Sequence, residues 1–233
     1  MLGVDDVRLT RKASLLGLLG GVLGLAGWRA AESDAVGGPA GVASGAVTCV
    51  LAPELTEGPF YIDGEKLRRN ITEGKTGAPL TLQLAVVDAS TCKPLRGVSV
   101  DIWHADAGGV YSGFGAGSGN RTFLRGIQKT DSSGVATFQT IYPGWYPGRT
   151  VHIHVKVHVR GNVVHTGQLF FNDAVTDAVY KRSVYSRRPN RTTRNSTDAI
   201  FVDGGRNSVV KVRKLGKGYV GTITMGVAAT TSR

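Results

Sequence analysis

The run His152-Ile153-His154-Val155-Lys156-Val157-His158-Val159 sets the residues best able to do chemistry on a two-residue period. In an extended strand that period sends His152, His154, Lys156 and His158 to one face and Ile153, Val155, Val157 and Val159 to the other. The apolar face would enter a core. His152 and His154 would then project side by side, near enough for both imidazoles to reach one metal ion. A His-x-His pair also reads as polar decoration of a strand or as a hydrogen-bonded core histidine, so its surroundings carry the argument. Just upstream, Tyr142-Pro143-Gly144-Trp145-Tyr146-Pro147-Gly148-Arg149 holds two prolines and two glycines. These fix the backbone and can deliver Tyr146 and Arg149 to the end of the histidine strand. A second tyrosine, Tyr111, lies in Gly108-Gly109-Val110-Tyr111-Ser112-Gly113, where spacing alone makes it an ordinary loop aromatic.

The elements that must position these groups are short strands. Alternating or β-branched runs predict strands at 80–87, 98–104, 134–141, 152–159, 163–171, 208–215 and 219–227. Asp131-Ser132-Ser133-Gly134 reads as a turn, and Arg160-Gly161-Asn162 as a hairpin. Strands at this spacing without intervening helices predict an all-β fold, a β-sandwich whose long loops form the metal site. The polar stretch 174–205 is long for a connection and reads either as a functional excursion or as holding a short helix at 173–180. No further domain is expected beyond the last strand.

At 233 residues the chain fits one large all-β domain, and 41% hydrophobic with 19% charged residues excludes wholesale disorder and a multispanning membrane protein. Glycine, at 33 residues, is about twice its usual share of roughly 7% and lacks a triplet period, which fits turn-rich β structure. The net charge of +11 is uneven: residues 180–233 hold twelve Lys or Arg against two acids. The segment around Lys181, Arg182, Arg187, Arg188, Arg191 and Arg194 reads as a solvated loop, with attraction to acidic polymers the alternative and no specific nucleic-acid partner implied.

Residues 1–46 read as a signal peptide and flexible linker ahead of a catalytic domain at 47–233. Arg8, Arg11 and Lys12 precede an uncharged stretch at 13–28 that is too short for the roughly 20 residues of a membrane-spanning helix. Thr10-Arg11-Lys12-Ala13-Ser14-Leu15 is similar to a twin-arginine signal with Lys in second place. The expectation is a secreted protein with no stable membrane span, a membrane-anchored form being the alternative. In an exported chain the two cysteines, Cys49 and Cys92, point to a disulfide, two separate buried thiols being the other reading.

Five stretches together carry a resemblance: Thr56-Glu57-Gly58-Pro59-Phe60-Tyr61, Asp101-Ile102-Trp103-His104-Ala105, Gly109-Val110-Tyr111-Ser112, Tyr142-Pro143-Gly144-Trp145-Tyr146 and Arg149-Thr150-Val151-His152-Ile153-His154. In this order and spacing the chain resembles the intradiol ring-cleavage dioxygenases, and within them the secreted branch similar to the protocatechuate 3,4-dioxygenase β-subunit. The resemblance implies a mononuclear non-haem Fe(III), Fe(3+), bound by Tyr111, Tyr146, His152 and His154. Phenolate oxygens are hard donors suited to ferric iron, and no acid follows His154 to complete a two-histidine, one-carboxylate triad.

The same resemblance implies a catechol-type substrate cleaved by O2 to a muconate-type dicarboxylic acid. It gives Tyr146 the role of base, places Arg149 where charge develops on the ring, and puts Gln168 in the substrate pocket. Arg149 and Gln168 also read as structural hydrogen-bonders. His104 reads as a core histidine or one behind the ligands, Phe60 and Tyr61 as a pocket wall or packing, and His165 as a surface residue. The alternative function is a noncatalytic β-sandwich module that binds aromatic or polymeric ligands. A sheet edge or the 180–197 excursion is a candidate homodimer contact.

Overall fold

Alternating burial along each strand builds the framework of the protein, whose computed structural model describes residues 49, 51–114 and 117–229. The expected signal peptide and linker at 1–46 lie outside the described residues. The strands are β1 (Pro79–Asp88), β2 (Ser99–Trp103), β3 (Arg125–Lys129), β4 (Val135–Ile141), β5 (His152–Val159), β6 (Asn162–Phe171), β7 (Val209–Leu215) and β8 (Gly218–Val227). They are joined in the order β3-β2-β5-β6-β7-β8-β1-β4, antiparallel except for the β1–β8 and β6–β7 pairs. The segment carrying Leu67 and Asn70 bridges to Ile127 on β3 and to Gln139 on β4. Both ends of the strand order are thereby paired through one stretch of chain, which closes the sandwich into a barrel-like form.

The core runs between the faces of this sheet. Leu80, Leu82, Leu84 and Val86 of β1 bury alternate side chains with Phe138, Val100, Ile102 and the odd residues of β5, Ile153, Val155 and Val157. Each fully buried side chain of this size contributes about 1.5–3 kcal/mol relative to exposure. The even residues of β5 were expected on a polar face, and they do share one. That face is buried as well, because an aromatic layer of Trp103, Tyr111, Phe60, Tyr61 and Tyr146 covers it. A register shift between Val157 and His158 ends the regular alternation.

The seven expected strands form, with ends shifted by one residue or less. The unexpected strand is β3, whose Arg-Gly-Ile-Gln-Lys sequence lacks an apolar alternation. The helix expected within the excursion is present as α1 (Asp173–Tyr180), capped by the Asn172 side chain accepting from the Ala174 and Val175 amides. The rest of the excursion is more structured than a solvated loop. It holds α2 (Ser183–Ser186), α3 (Ala199–Asp203) and two 3-10 turns, Asn195–Thr197 and Gly205–Ser208, all too short for hydrophobic periodicity to announce. Arg191 is drawn inward, its side chain 3% exposed, by Asp173 and Asp177.

Cys49 and Cys92 are joined in a disulfide, and Ala52 donates its amide to the Gly226 carbonyl at 2.8 Å, so the N-terminal described segment is fastened beside β8. Among the described residues no helix is long and apolar enough to cross a membrane.

Candidate metal centre

The centre is assembled from one strand and two loops. β5 supplies His152 and His154, which stand on the buried polar face just described. The chain after β2 supplies Tyr111 and the chain between β4 and β5 supplies Tyr146. These two loops touch backbone to backbone, and glycine permits it. A β-carbon on Gly144 would collide with the Asp106 and Ala107 carbonyl oxygens, and one on Gly109 (φ +84) with the Trp145 carbonyl. Asp106 organises the first loop: its Oδ1 accepts from the Gly108 and Val110 amides at 2.9 and 3.0 Å, and its carbonyl accepts from the Gly144 amide of the second loop at 3.1 Å.

All four donors meet. The Tyr146 hydroxyl lies 3.0 Å from His152 Nε2, which lies 3.1 Å from His154 Nε2. The Tyr111 ring packs edge to face on Tyr146 with centroids 5.7 Å apart and lies 6.0 Å from the His154 ring. His152 Nδ1 is 2.6 Å from the Thr150 carbonyl, which fixes the proton on Nδ1 and leaves a lone pair on Nε2 facing the cluster. Trp103 lies flat on the His154 imidazole, centroids 4.9 Å apart and planes 6° apart.

The electrostatics ask for a cation. Burial pushes His152 down to about 3 and holds His154 well below its ordinary value, so both rings are neutral donors. Burial also holds the Tyr111 and Tyr146 phenols above their ordinary value, because a phenolate there has no adequate counter-charge within the protein. The Tyr111 hydroxyl is buried without a hydrogen-bond partner. Lone pairs of two imidazoles and two phenol oxygens thus converge, a donor set that fits a hard trivalent ion. Among the described residues no three His, Cys, Asp or Glu side chains gather to hold a metal, so a cation at His152 and His154 must draw on the tyrosines.

Arg149 and Gln168 flank the cluster and contact each other, Nη2 donating to Oε1 at 2.5 Å. Gln168 sits opposite His154 in the β5–β6 register and donates from Nε2 to the Thr56 carbonyl at 2.8 Å. Nothing in the local sequence marks Asp198 as part of the site. Its Oδ2 accepts from Arg149 Nε at 2.9 Å and from the Thr150 amide at 2.7 Å, while Oδ1 caps α3 at the Phe201 amide. Burial alone would raise this carboxyl, but the two amides and Arg149 outweigh it and hold it below the ordinary range.

His104 is a core residue, with Nε2 2.7 Å from Thr140 Oγ1 and Nδ1 2.8 Å from the Ala105 carbonyl. His165, expected at the surface, is instead buried: its strand position places it under the N-terminal segment, where Nδ1 meets Glu54 Oε1 at 2.8 Å. Phe60 stacks on Tyr111 with centroids 4.3 Å apart and so does line the site.

The family model described as Dioxygenase matches residues 55–186. An intradiol ring-cleavage dioxygenase from Tetranychus urticae is 36% identical and superposes with a TM-score of 0.75, covering 79% of this chain and 98% of that one. The chain belongs to the intradiol ring-cleavage dioxygenase family. A second similar structure, the dioxygenase domain of a dioxygenase carbohydrate-binding protein fusion from Streptomyces sp. SirexAA-E, is 35% identical with a TM-score of 0.61, covering 78% of this chain and 100% of that one. Among curated proteins, Catechol 1,2-dioxygenase 1 of Acinetobacter lwoffii is 31% identical over 100 residues, 40% of this chain. The match spans 32% of that relative's length. The match to the Dioxygenase family model runs from Leu55 and contains Tyr111, Tyr146, His152, His154, Arg149 and Gln168.

Proposed function

We propose that this chain is a secreted non-haem Fe(III) intradiol dioxygenase of the branch similar to the protocatechuate 3,4-dioxygenase β-subunit, opening catechol-type rings to muconate-type dicarboxylic acids. The observation that carries the reading is the meeting of two phenol oxygens with two imidazole Nε2 atoms in a buried pocket whose charges call for a cation. Tyr111, Tyr146, His152 and His154 would hold the ion. A ferric ion there supplies Lewis acidity toward a catechol and a template for its two oxygens. The overall change balances without an external reductant: catechol and O2 combine, the bond between the hydroxylated carbons breaks, and both oxygen atoms end in the two carboxylates.

The protein's own groups divide the remaining work. Tyr146 is the less buried phenol, and as a phenolate on the ion its Oη would accept a catechol proton as the substrate enters. Arg149, held by Asp198, presents a fixed positive charge toward the space beside His152 and His154, where negative charge on the ring would be stabilised. Gln168 links Arg149 to the 56–60 segment and so sets the width of the pocket. The Trp103 face and the buried core behind β5 exclude water from the histidine side.

The test is direct. Purified protein loaded with ferric iron is expected to bind one iron per chain, to show a phenolate-to-iron charge-transfer colour, and to consume one O2 per catechol with a muconate-type mass. Tyr111→Phe and Tyr146→Phe should each shift or bleach the colour. Loaded, colourless protein that leaves every catechol intact would end the proposal.

A further inference from the structure

The walls around the donor cluster are unequal in chemistry. On the Tyr111 side they are aromatic: Phe60 stacks on Tyr111 at 4.3 Å, meets Tyr146 edge-on at 6.0 Å and meets Phe114 edge-on at 5.3 Å, with the Arg125 guanidinium 5.4 Å from the Phe114 ring centroid. Phe114 is 47% exposed, and Ile62 lies against the same turn, close to Gly113, at 37% exposed. An aromatic ladder with an aliphatic rim therefore runs from the surface down to the phenols, where a soluble protein ordinarily keeps polar side chains.

The cations near the cluster are already committed. Arg149 is paired with Asp198 and Gln168. Arg125 is fully buried, with its donors on Ser112 and the Phe60 carbonyl and with Glu65 at 3.7 Å. Lys156 is paired with Glu57 and lies over the Tyr61 ring at 3.7 Å. Arg188 caps the Trp145 ring at 4.7 Å and donates to the Ala107 carbonyl at 3.2 Å. A substrate carboxylate would have to displace one of these partners or be buried unpaired, both unfavourable. An apolar substituent would gain area against Phe60 and Phe114 at no such cost.

We propose that the apolar surface formed by Phe60, Phe114 and Ile62 selects uncharged catechols bearing an apolar substituent over carboxylated ones. This rests on the dioxygenase reading above and narrows its substrate class. Phe114 is the residue assigned to discriminate, since it extends the Phe60–Tyr111 stack outward to where a ring substituent would lie.

The test compares catechol, 4-tert-butylcatechol and protocatechuate on the iron-loaded protein, by kcat/KM and by anaerobic Kd read from the charge-transfer band. The expected result is a kcat/KM and an affinity about tenfold or more in favour of 4-tert-butylcatechol over protocatechuate. Phe114→Ala should cut that ratio severalfold, and Ile62→Ser, at the exposed rim, should cut it in the same direction. Cleavage of catechol with protocatechuate equal or preferred would overturn the substrate inference while leaving the dioxygenase reading intact. Loss of such a preference in Arg188→Ala would then assign the carboxylate to Arg188. Coloured, iron-loaded protein that cleaves none of the three would sink the dioxygenase reading and this inference with it.

Discussion

The Arg125 guanidinium grips Ser112 twice, Nε donating to its hydroxyl and Nη2 to its carbonyl, each at 2.8 Å. Ser112 follows Tyr111 in the chain. The third donor, Nη1, reaches the Phe60 carbonyl at 2.6 Å, and the Phe60 ring stacks on Tyr111. One fully buried arginine thus fixes both the backbone beside Tyr111 and the ring that covers it. Its charge is balanced by Glu65, itself buried, with Asp101 acting in the same direction.

Replacing this fork leaves Glu65 unpaired in the interior. Arg125→Met should destabilise by about 3–5 kcal/mol in a urea titration. Arg125→Lys keeps the charge but cannot span Ser112 and Phe60, so its iron affinity should fall about 10- to 100-fold even where folding survives. An Arg125→Lys protein with unchanged iron affinity and charge-transfer band would show that the clamp does not position Tyr111.

The contact between the two tyrosine loops makes its own prediction. Gly144→Ala forces a methyl into the Asp106 and Ala107 carbonyls, so a loss of about 1–3 kcal/mol or more is expected, together with impaired iron loading. Gly148→Ala faces open space and differs only in its φ of +83, so it should keep its iron while losing about 1 kcal/mol of stability. Equal iron content in the two variants would refute the packing argument.

Asp198 acts through Arg149. With the carboxylate replaced by an amide in Asp198→Asn, the guanidinium loses its ionic partner. Steady-state kinetics on the iron-loaded protein should show kcat falling about tenfold, less than the hundredfold or so expected for Arg149→Ala. A larger effect of Asp198→Asn than of Arg149→Ala would contradict this order of action.

His104 gives a pH dependence that is separate from the metal-binding side chains. Burial pushes its pKa down from 6.5 to about 4, despite the Ala105 carbonyl and Asp106, which act to raise it. Because the folded state disfavours the protonated ring, the unfolded chain takes up the proton first. Stability is therefore fully present above pH 6.5 and declines as pH falls toward 4, by on the order of 3 kcal/mol. His104→Gln should flatten that part of the curve in denaturant titrations at successive pH values. An unchanged slope would assign the decline elsewhere.

The disulfide is one of several anchors of the N-terminal described segment. With 43 residues separating Cys49 and Cys92, loop closure contributes about 4 kcal/mol in the chain-entropy model. Reduction, or Cys49→Ser, should lower the urea midpoint accordingly while iron colour persists, since Ala52 and Leu55 keep their own backbone bonds to Gly226 and Thr166. Loss of colour on reduction would show instead that the tether supports the site.

Local pattern was enough for the strands and for the histidine pair. The period of two in 152–159 is a property of adjacent residues, and its consequence, two imidazoles on one face, holds wherever the strand packs. The helix at 173–180 was legible for the same reason, since its cap and apolar face lie within one short stretch. The five linked sequence stretches likewise singled out Tyr111, Tyr146 and Arg149, and the family resemblance pointed to Gln168, although nothing in local spacing said that they meet.

What remained hidden depends on partners far apart in the chain. β3 exists because β2 pairs with it and Leu67 bridges to it, not because its own sequence prefers an extended form. Arg125 and Asp198 look like any surface charge in sequence; one is 65 residues from Phe60 and the other 49 from Arg149, and only tertiary packing turns them into clamps. The burial of His152, His154 and Lys156 on the β5 polar face was decided the same way. Strand alternation determines which side chains share a face, but whether that face meets water or an aromatic layer depends on loops that return from elsewhere.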